Sequence, residues 1–142
     1  MAETNSDQPC GRHSLRVDGD VLVVRFVGDL SADDGRQMLA ICEQVIAQHG
    51  QAYMLALVDE AGSIDPQFRR QLMTWMKTNP LLAIANVRAS WVARTVGILL
   101  TNAIRLTGLA GYASAFFDSE EGARRWLADV ASKHRQGRPS PH

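Results

Sequence analysis

The sequence lacks the features that usually mark a secreted protein or a membrane protein. Its 142 residues include only two cysteines, Cys10 and Cys42, which is too few for a disulfide framework or a zinc knuckle. The most apolar stretch, residues 92–110, is interrupted by two arginines and an asparagine. It therefore falls short of the about 20 apolar residues that a membrane span needs. The polar, acidic start of the chain predicts no secretory signal, so we expect a cytoplasmic protein.

The chain also lacks an excess of charge of either sign. Fifteen basic residues balance fifteen acidic ones, so no net field attracts the chain to nucleic acid or to an anionic membrane. The arginine pairs at 69–70 and 124–125 have no exposed aromatic residues interleaved with them. We interpret them as solvated helix faces and predict no nucleic-acid partner and no membrane span.

No combination of residues predicts a catalytic centre. The four histidines have no metal-ligand spacing, and none has a serine or cysteine placed as its nucleophile. Asp29 and Asp59 would end parallel strands, where neighbouring carboxylates could hold Mg²⁺. Asp33 and Asp65, however, occupy positions that helix starts favour for capping and dipole reasons alone. The sequence therefore predicts no enzyme, no catalytic residue, no metal and no cofactor.

The chain is rich instead in alternating strand and helix patterns. Strand signals, which are short runs of β-branched and other apolar residues, occur at 13–17, 21–27, 54–58, 81–87 and 112–117. Helix signals, which are apolar residues at helical spacing, follow Ser31, Asp65 and Asp118 and also occupy residues 91–106. The order ββαβαβαβα predicts an α/β fold with an N-terminal hairpin and then parallel strands joined by right-handed crossovers. We expect one domain at 13–134 between disordered tails at 1–12 and 135–142.

The central unit runs from residue 54 to residue 75. A buried strand at 54–58 is followed by turn-forming residues at 59–63. Asp65 then offers a carboxylate as helix N-cap, and Pro66 fits the first helical position. This pattern predicts a strand, a polar loop and an amphipathic helix.

The helix predicted at 91–106 is apolar over an unusually wide arc. One side forms an ordinary core stripe made of Val92, Val96, Leu99, Leu100 and Ala103. Trp91 and Ile98 fall on the other side, beside Arg94 and Arg105. We expect this helix to be wedged between the sheet and the last helix, with Trp126 filling space. The alternative is a surface for another protomer, or the wall of a pocket for an apolar ligand with an acidic head group.

Three segments of the chain resemble the STAS domain and a subgroup of SpoIIAA-like bacterial proteins of the STAS/SEC14 type. The first is the apolar strand followed by Asp59 and the turn that leads into Ile64 and Asp65. The other two are VVRFVGDL at 23–30 and FFDSEEGARRWL at 116–127. The resemblance covers about residues 14–130. It implies a SpoIIAA-like βα superhelix, in which helices pack on a mixed, mostly parallel sheet.

The resemblance also implies binding rather than catalysis. Well-known members of the STAS family switch partners when a serine at the start of the helix after the third strand is phosphorylated. That serine would directly follow Asp65, where this chain has Pro66 and Gln67, neither of which accepts phosphate. Ser63 lies two residues before Asp65. The usual phosphorylatable serine is therefore missing from its expected place.

These observations predict a non-enzymatic STAS-like regulatory module that binds a protein partner, as anti-sigma factor antagonists do. The predicted partner-binding surface comprises loop residues and the start of a helix: Asp29, Ser31, Asp59, Ser63, Asp65, Gln67, Arg69 and Arg70. The free N–H groups of that helix start would favour an acidic group on the partner. The alternative is a carrier or sensor of an apolar or lipid ligand, or self-association as a homodimer. Either alternative would use Trp91, Arg94, Ile98 and Arg105.

Overall fold

The structure of the chain, a computed structural model, describes residues 7–106 and 112–136. Within these residues lie six strands and four helices. The strands are β1 (Gln8–Cys10), β2 (His13–Asp18), β3 (Val21–Leu30), β4 (Ala52–Ile64), β5 (Leu81–Val87) and β6 (Ala113–Phe117). The helices are α1 (Ala32–His49), α2 (Pro66–Met76), α3 (Trp91–Leu106) and α4 (Glu120–Gln136).

The strands form one sheet in which spatial order equals chain order, β1 to β6. β1, β2 and β3 are antiparallel neighbours, and β3 to β6 pair parallel to one another. The tight turn between β2 and β3 is possible because Gly19 adopts a left-handed φ of 64°. The prediction of an N-terminal hairpin followed by parallel strands is confirmed.

This strand order places the helices unequally on the two faces of the sheet. Each parallel strand is added on the same side of the one before it, so right-handed crossovers put α1, α2 and α3 on one face. One hydrophobic core accordingly joins that face of the sheet to side chains of α1, α2 and α3. A second core joins the opposite face to α4, through Ala123, Leu127 and the partly buried Trp126.

The central strand β4 supplies both cores. Tyr53 and Leu55 pack toward α4, whereas Met54 and Ala56 pack toward the other three helices. All four side chains are buried. A strand covered on both faces needs the continuous apolar run from which this strand was predicted.

Local sequence signals set the ends of α1. The hydroxyl of Ser31 accepts a hydrogen bond of 3.1 Å from the backbone N–H of Asp34, which makes Ser31 the N-cap. Gly50 ends the helix with a left-handed φ of 87°, and its N–H donates to the carbonyl of Ile46 at 2.7 Å. The helix start that was predicted after Ser31 is confirmed.

The predicted disordered tail at 1–12 is partly wrong, because Gln8–Cys10 forms an edge strand paired with β2. Cys10 is buried there, and its thiol donates to the carbonyl of Asp34 at 3.2 Å. Burial, and next the nearby Asp34 carboxylate, raise the pKa of the Cys10 thiol. The second predicted tail began at residue 135, but α4 continues to Gln136. Residues 1–6 and 137–142 lie outside the described residues.

The predicted loop at 59–63 is also wrong, because β4 continues as a strand to Ile64. Ala61 pairs with Gly28 after one register shift along the β3–β4 pair, and Ile64 pairs with Leu30 after a second. Pairing with the long β3 overrides the local turn preference of these residues. The extension places Asp59 and Ser63 in the strand instead of in a loop.

Candidate functional site

The large hydrophobic side chains that the described residues expose all belong to α3. Their exposed fractions are 80% for Trp91, 50% for Val92, 46% for Ile98, 62% for Leu99 and 87% for Leu106. We call the side of α3 formed by these five residues the outer face. Clusters of exposed large apolar side chains on a soluble domain mark surfaces that bind something else.

The opposite side of α3 packs on the sheet through small or partly buried residues. Ile104 is the buried residue of this helix, and Ala93 and Leu100 pack partly buried against the same core. At Gly97 a Cβ atom would lie 3.1 Å from Cζ of Phe116, so the helix approaches β6 closely at this point.

The expectation that α3 is wedged between the sheet and the last helix is therefore wrong. α4 and Trp126 lie on the other face of the sheet, where Trp126 contacts Phe117 with 5.6 Å between ring centroids. Val92 and Leu99, which were expected in the core stripe, are exposed. The sheet covers only one part of the wide apolar arc of α3, and the remaining part faces solvent.

Arginines border the outer face on one side. Arg94 lies with its guanidinium carbon 4.7 Å from the centroid of the Phe116 ring, a cation–π contact. Arg105, three turns further along, is exposed. The helix contains no acidic residue. The border is therefore positively charged.

An apolar cavity of about 100 Å³ lies beneath α3. Its walls come from α1, α2, α3 and the sheet, through residues such as Met38, Phe68, Leu100 and Met54. Asn86 of β5 adds a polar side chain to this lining. The space is smaller than an engineered apolar cavity of roughly 150 Å³ that takes up benzene.

A chain of hydrogen bonds runs from Asn86 to α3. The amide nitrogen of Asn86 donates to Oγ of Ser114 and to the carbonyl of Ala115, both at 3.2 Å. The Tyr112 hydroxyl is in turn hydrogen-bonded to the side chains of Thr101 and Ser114. Burial, the largest effect, raises the pKa of Tyr112. These contacts join the middle of α3 to β6 and β5.

Several residues of the predicted partner-binding surface meet where β3 and β4 end. Oδ1 of Asp29 accepts hydrogen bonds from the backbone N–H of Ser63 at 2.9 Å and from its hydroxyl at 3.1 Å. These two bonds, and next the charge of Arg12, hold the pKa of the Asp29 carboxyl below its ordinary value. Gly62 is required beside them, because a Cβ there would come within 2.2 Å of Asp29 Oδ1.

The start of α2 adjoins this pair. Oδ1 of Asp65 accepts from the backbone N–H of Gln67 at 2.8 Å and of Phe68 at 3.1 Å, as an N-cap does. Gln67 and Arg70 are exposed, and Arg69 is half-buried. Ser31 is exposed at the start of α1. The predicted cap is confirmed, and its carboxylate takes up two of the free N–H groups that were expected to face a partner.

Asp59 does not join this group. Its Oδ1 lies 3.4 Å from Nη1 of Arg25, and the Glu60 carboxylate lies 3.7 Å from the same nitrogen. Arg25 shares a shallow polar hollow with Val23 and Leu57, which belong to the core on the α4 face. Asp59 is therefore engaged by Arg25, apart from the Asp29–Ser63 pair and the start of α2.

Two features escaped the sequence analysis. Val92, Leu99 and Leu106 recur at intervals of seven residues, a spacing that could have identified them as one column. His13 is buried, and its Nδ1 accepts from the backbone N–H of Val27 at 2.9 Å while Nε2 lies 3.9 Å from Asp34. No sequence signal distinguishes this histidine from an exposed one.

Across residues 7–106 and 112–136, no group of three or more histidine, cysteine or acidic side chains is arranged to hold a metal ion. No helix in the same ranges is long and apolar enough to cross a membrane.

The sheet order and helix placement match a known architecture. An uncharacterized protein of the DUF3478 family from Shewanella loihica PV-4, which has a SpoIIAA-like fold, superposes with a TM-score of 0.55. The two sequences are 18% identical, and the match covers 80% of this chain and 90% of that one. The chain has a SpoIIAA-like fold. At this identity the likeness shows the fold alone.

A second solved structure is more distant. The anti-sigma factor antagonist SpoIIAA in its unphosphorylated form aligns with a TM-score of 0.45 and 14% identity, over 94% of this chain and 100% of that chain. No protein-family model matches the sequence, and no curated protein does. The SpoIIAA-like fold that the sequence predicts is confirmed, and the function has to be argued from the surface of this chain.

Proposed function

We propose that this chain is a non-enzymatic regulatory module that binds a protein partner, and that the outer face of α3 is part of the contact. The observation that carries this proposal is the exposure of five large hydrophobic side chains on a single helix. In a folded domain such a cluster costs solubility and is typical of a binding surface.

The topology supports the proposal. α1, α2 and α3 share one face of the sheet, and α4 packs on the opposite face. Among the described elements, α4 follows the last strand and packs on the sheet face opposite to α3. It therefore does not cover the outer face of α3. Within residues 7–106 and 112–136 the outer face stays exposed, which supports a second molecule as its cover.

The residues around the start of α2 offer a second contact area. Ser63, Gln67 and Arg70 are exposed there, close to Asp29. Their exposed polar groups suit the rim of an interface better than its centre. We propose that this area contributes specificity, with Arg69 and Arg70 facing acidic groups of the partner.

The experiment that tests this function is affinity capture from an extract of the source organism, with the captured protein then purified and its affinity measured directly. We compare the unchanged chain with L99D on the outer face and with R69E/R70E on α2. We expect L99D to abolish binding and R69E/R70E to weaken it, with unchanged melting temperatures. Equal binding by L99D and the unchanged chain would remove α3 from the interface.

The cavity beneath α3 favours a second candidate, a carrier or sensor of an apolar ligand. The cavity is apolar and about 100 Å³ in volume, so a lipid chain would fit only if α3 moved away from the sheet. Native mass spectrometry of freshly purified protein, before and after solvent extraction, tests this candidate. An extra mass that extraction removes would support a carrier, and a bare polypeptide mass would count against one.

A further inference from the structure

We propose that the outer face of α3 is a docking site for an amphipathic helix of a partner protein, and that this helix carries acidic residues along one border of its apolar stripe. The inference rests on the proposed function and deepens it, because it names the chemistry of the partner. Three observations carry it: the spacing of the exposed residues, the charge of the border and the polar residues between the apolar columns.

The exposed apolar residues of α3 form two columns along the helix. Val92, Leu99 and Leu106 are seven residues apart, and so are Trp91 and Ile98. Residues seven apart lie on nearly the same side of a helix, with a drift of only about 20° per heptad. A second helix laid along α3 would contact both columns throughout their length. The two columns run along the length of one helix, and an elongated patch of this kind fits a second helix laid along it.

The charge of the border determines what the partner must carry. Arg94 and Arg105 are eleven residues apart, which places them on the same side of α3 and about 16 Å apart along its axis. Neither takes part in any of the ion pairs found among the described residues. An acidic residue near each end of the partner helix would pair with them.

A second copy of this chain fits the outer face poorly. Its α3 would bring arginines and no acidic residue, so the border charges would repel each other. The guanidinium carbon of Arg94 lies 4.7 Å from the centroid of the Phe116 ring, and this contact holds the side chain in place. Arg94 therefore cannot easily turn away from an arginine of a second copy.

A membrane surface also fits poorly. Thr95 and Asn102 lie between the two apolar columns and would enter the apolar layer with them. Thr95 donates its hydroxyl to the carbonyl of Trp91 at 3.0 Å, but the side chain of the exposed Asn102 would have to leave water. Two arginines attract anionic lipid only weakly, since recognition of such lipid uses clusters of about four to eight basic residues. A partner helix can instead hydrogen-bond Asn102, and a polar residue at such a position fixes the register of two helices.

The test is a displayed library of helical peptides with apolar residues at heptad spacing and with Glu, Gln or Lys varied at the two border positions. The library is selected on the full chain and counter-selected against L99D. We expect Glu at the border positions of the selected peptides. In solution, R94E/R105E should lower the affinity of the best peptide about tenfold, which is the effect of losing two exposed ion pairs. The same variant should bind the peptide with Lys at the border positions more tightly than the peptide with Glu. R125E, on the opposite face of the sheet, is the matched control and should change nothing.

Each other outcome overturns a defined part of the inference. Peptides that need Leu99 but show no preference for Glu would leave the helix-docking site of the proposed function standing and would remove the acidic partner. A library without any Leu99-dependent peptide would overturn the docking site itself. Leu99-dependent sedimentation with vesicles of equal parts phosphatidylcholine and phosphatidylglycerol would assign the surface to a membrane. A dimer in analytical ultracentrifugation that L99D dissociates would assign it to a second copy.

Discussion

Gly35 of α1 lies directly against the ring of Phe68 of α2, so closely that a Cβ atom at residue 35 would come within 2.4 Å of two ring carbons. Phe68 is only 1% exposed, so its ring has little room to move. We expect G35A to lower the free energy of unfolding by about 1–3 kcal/mol, because overpacking outweighs the better helix propensity of alanine. Urea denaturation followed by circular dichroism measures this change.

The control for that prediction is the double variant G35A/F68L. Leucine leaves the space that the ring atoms occupy, so the two changes together should cost less than the sum of their separate effects. Additive costs would mean that Gly35 matters for a reason other than contact with Phe68.

The exposure of α3 predicts an uneven response to substitution along one helix. L99Q should leave the free energy of unfolding within about 0.5 kcal/mol of the unchanged chain, because Leu99 faces solvent. I104A should lower it by about 2–5 kcal/mol, because Ile104 is buried against the sheet. Chemical denaturation of both variants checks the pair. A large loss of unfolding free energy in L99Q would contradict the exposure of Leu99.

The contact between Asp29 and Ser63 predicts a pH-dependent contribution to stability. The folded protein lowers the pKa of Asp29, so the contribution is complete above the ordinary aspartate pKa of about 3.9. It is lost as the pH falls from there through the lowered pKa of the folded state. Urea denaturation should show D29N less stable than the unchanged chain at neutral pH, with the difference shrinking in acid. S63A keeps the backbone donor and should retain part of this pH dependence. A stability difference between D29N and the unchanged chain that stays constant with pH would contradict the prediction.

Both thiols should be protected in the folded protein. Burial, and to a smaller extent Glu43, raise the pKa of Cys42 to about 12, and Cys10 is buried as well. Because the thiolate is the reactive form, we expect labelling by a disulfide reagent at neutral pH to proceed only as fast as the protein opens. Labelling of C10A and C42A separately assigns each rate. Fast labelling of either variant without denaturant would contradict the burial.

The sequence predicted what depends on local chemistry. Asp65 and Pro66 mark the start of α2 by capping and by a preset backbone angle, and neighbouring residues alone decide both. The exposure of the outer face was not predicted, for a different reason. The apolar arc of α3 is wider than the part that the sheet can cover, and the covered part depends on which face α4 occupies. That is a property of the whole chain.

The candidate site was divided for a similar reason. Residues 59–63 have the composition of a turn, but pairing with β3 extends β4 to Ile64. Asp59 and Ser63 each lie at one of the two register shifts of the β3–β4 pair, and there Asp59 meets Arg25 whereas Ser63 meets Asp29. Register between two strands that are distant in sequence cannot be derived from either strand alone.

The match between strand order and chain order also bears on how the sheet is assembled. No strand has to be inserted between two that are already paired, because each crossover helix delivers the next strand to the free edge. A nascent chain could therefore build the sheet from its N-terminal end while the rest is still being synthesised. In pulsed hydrogen exchange during refolding, amides of β3 and β4 should become protected no later than those of β6, the strand at the C-terminal edge of the sheet.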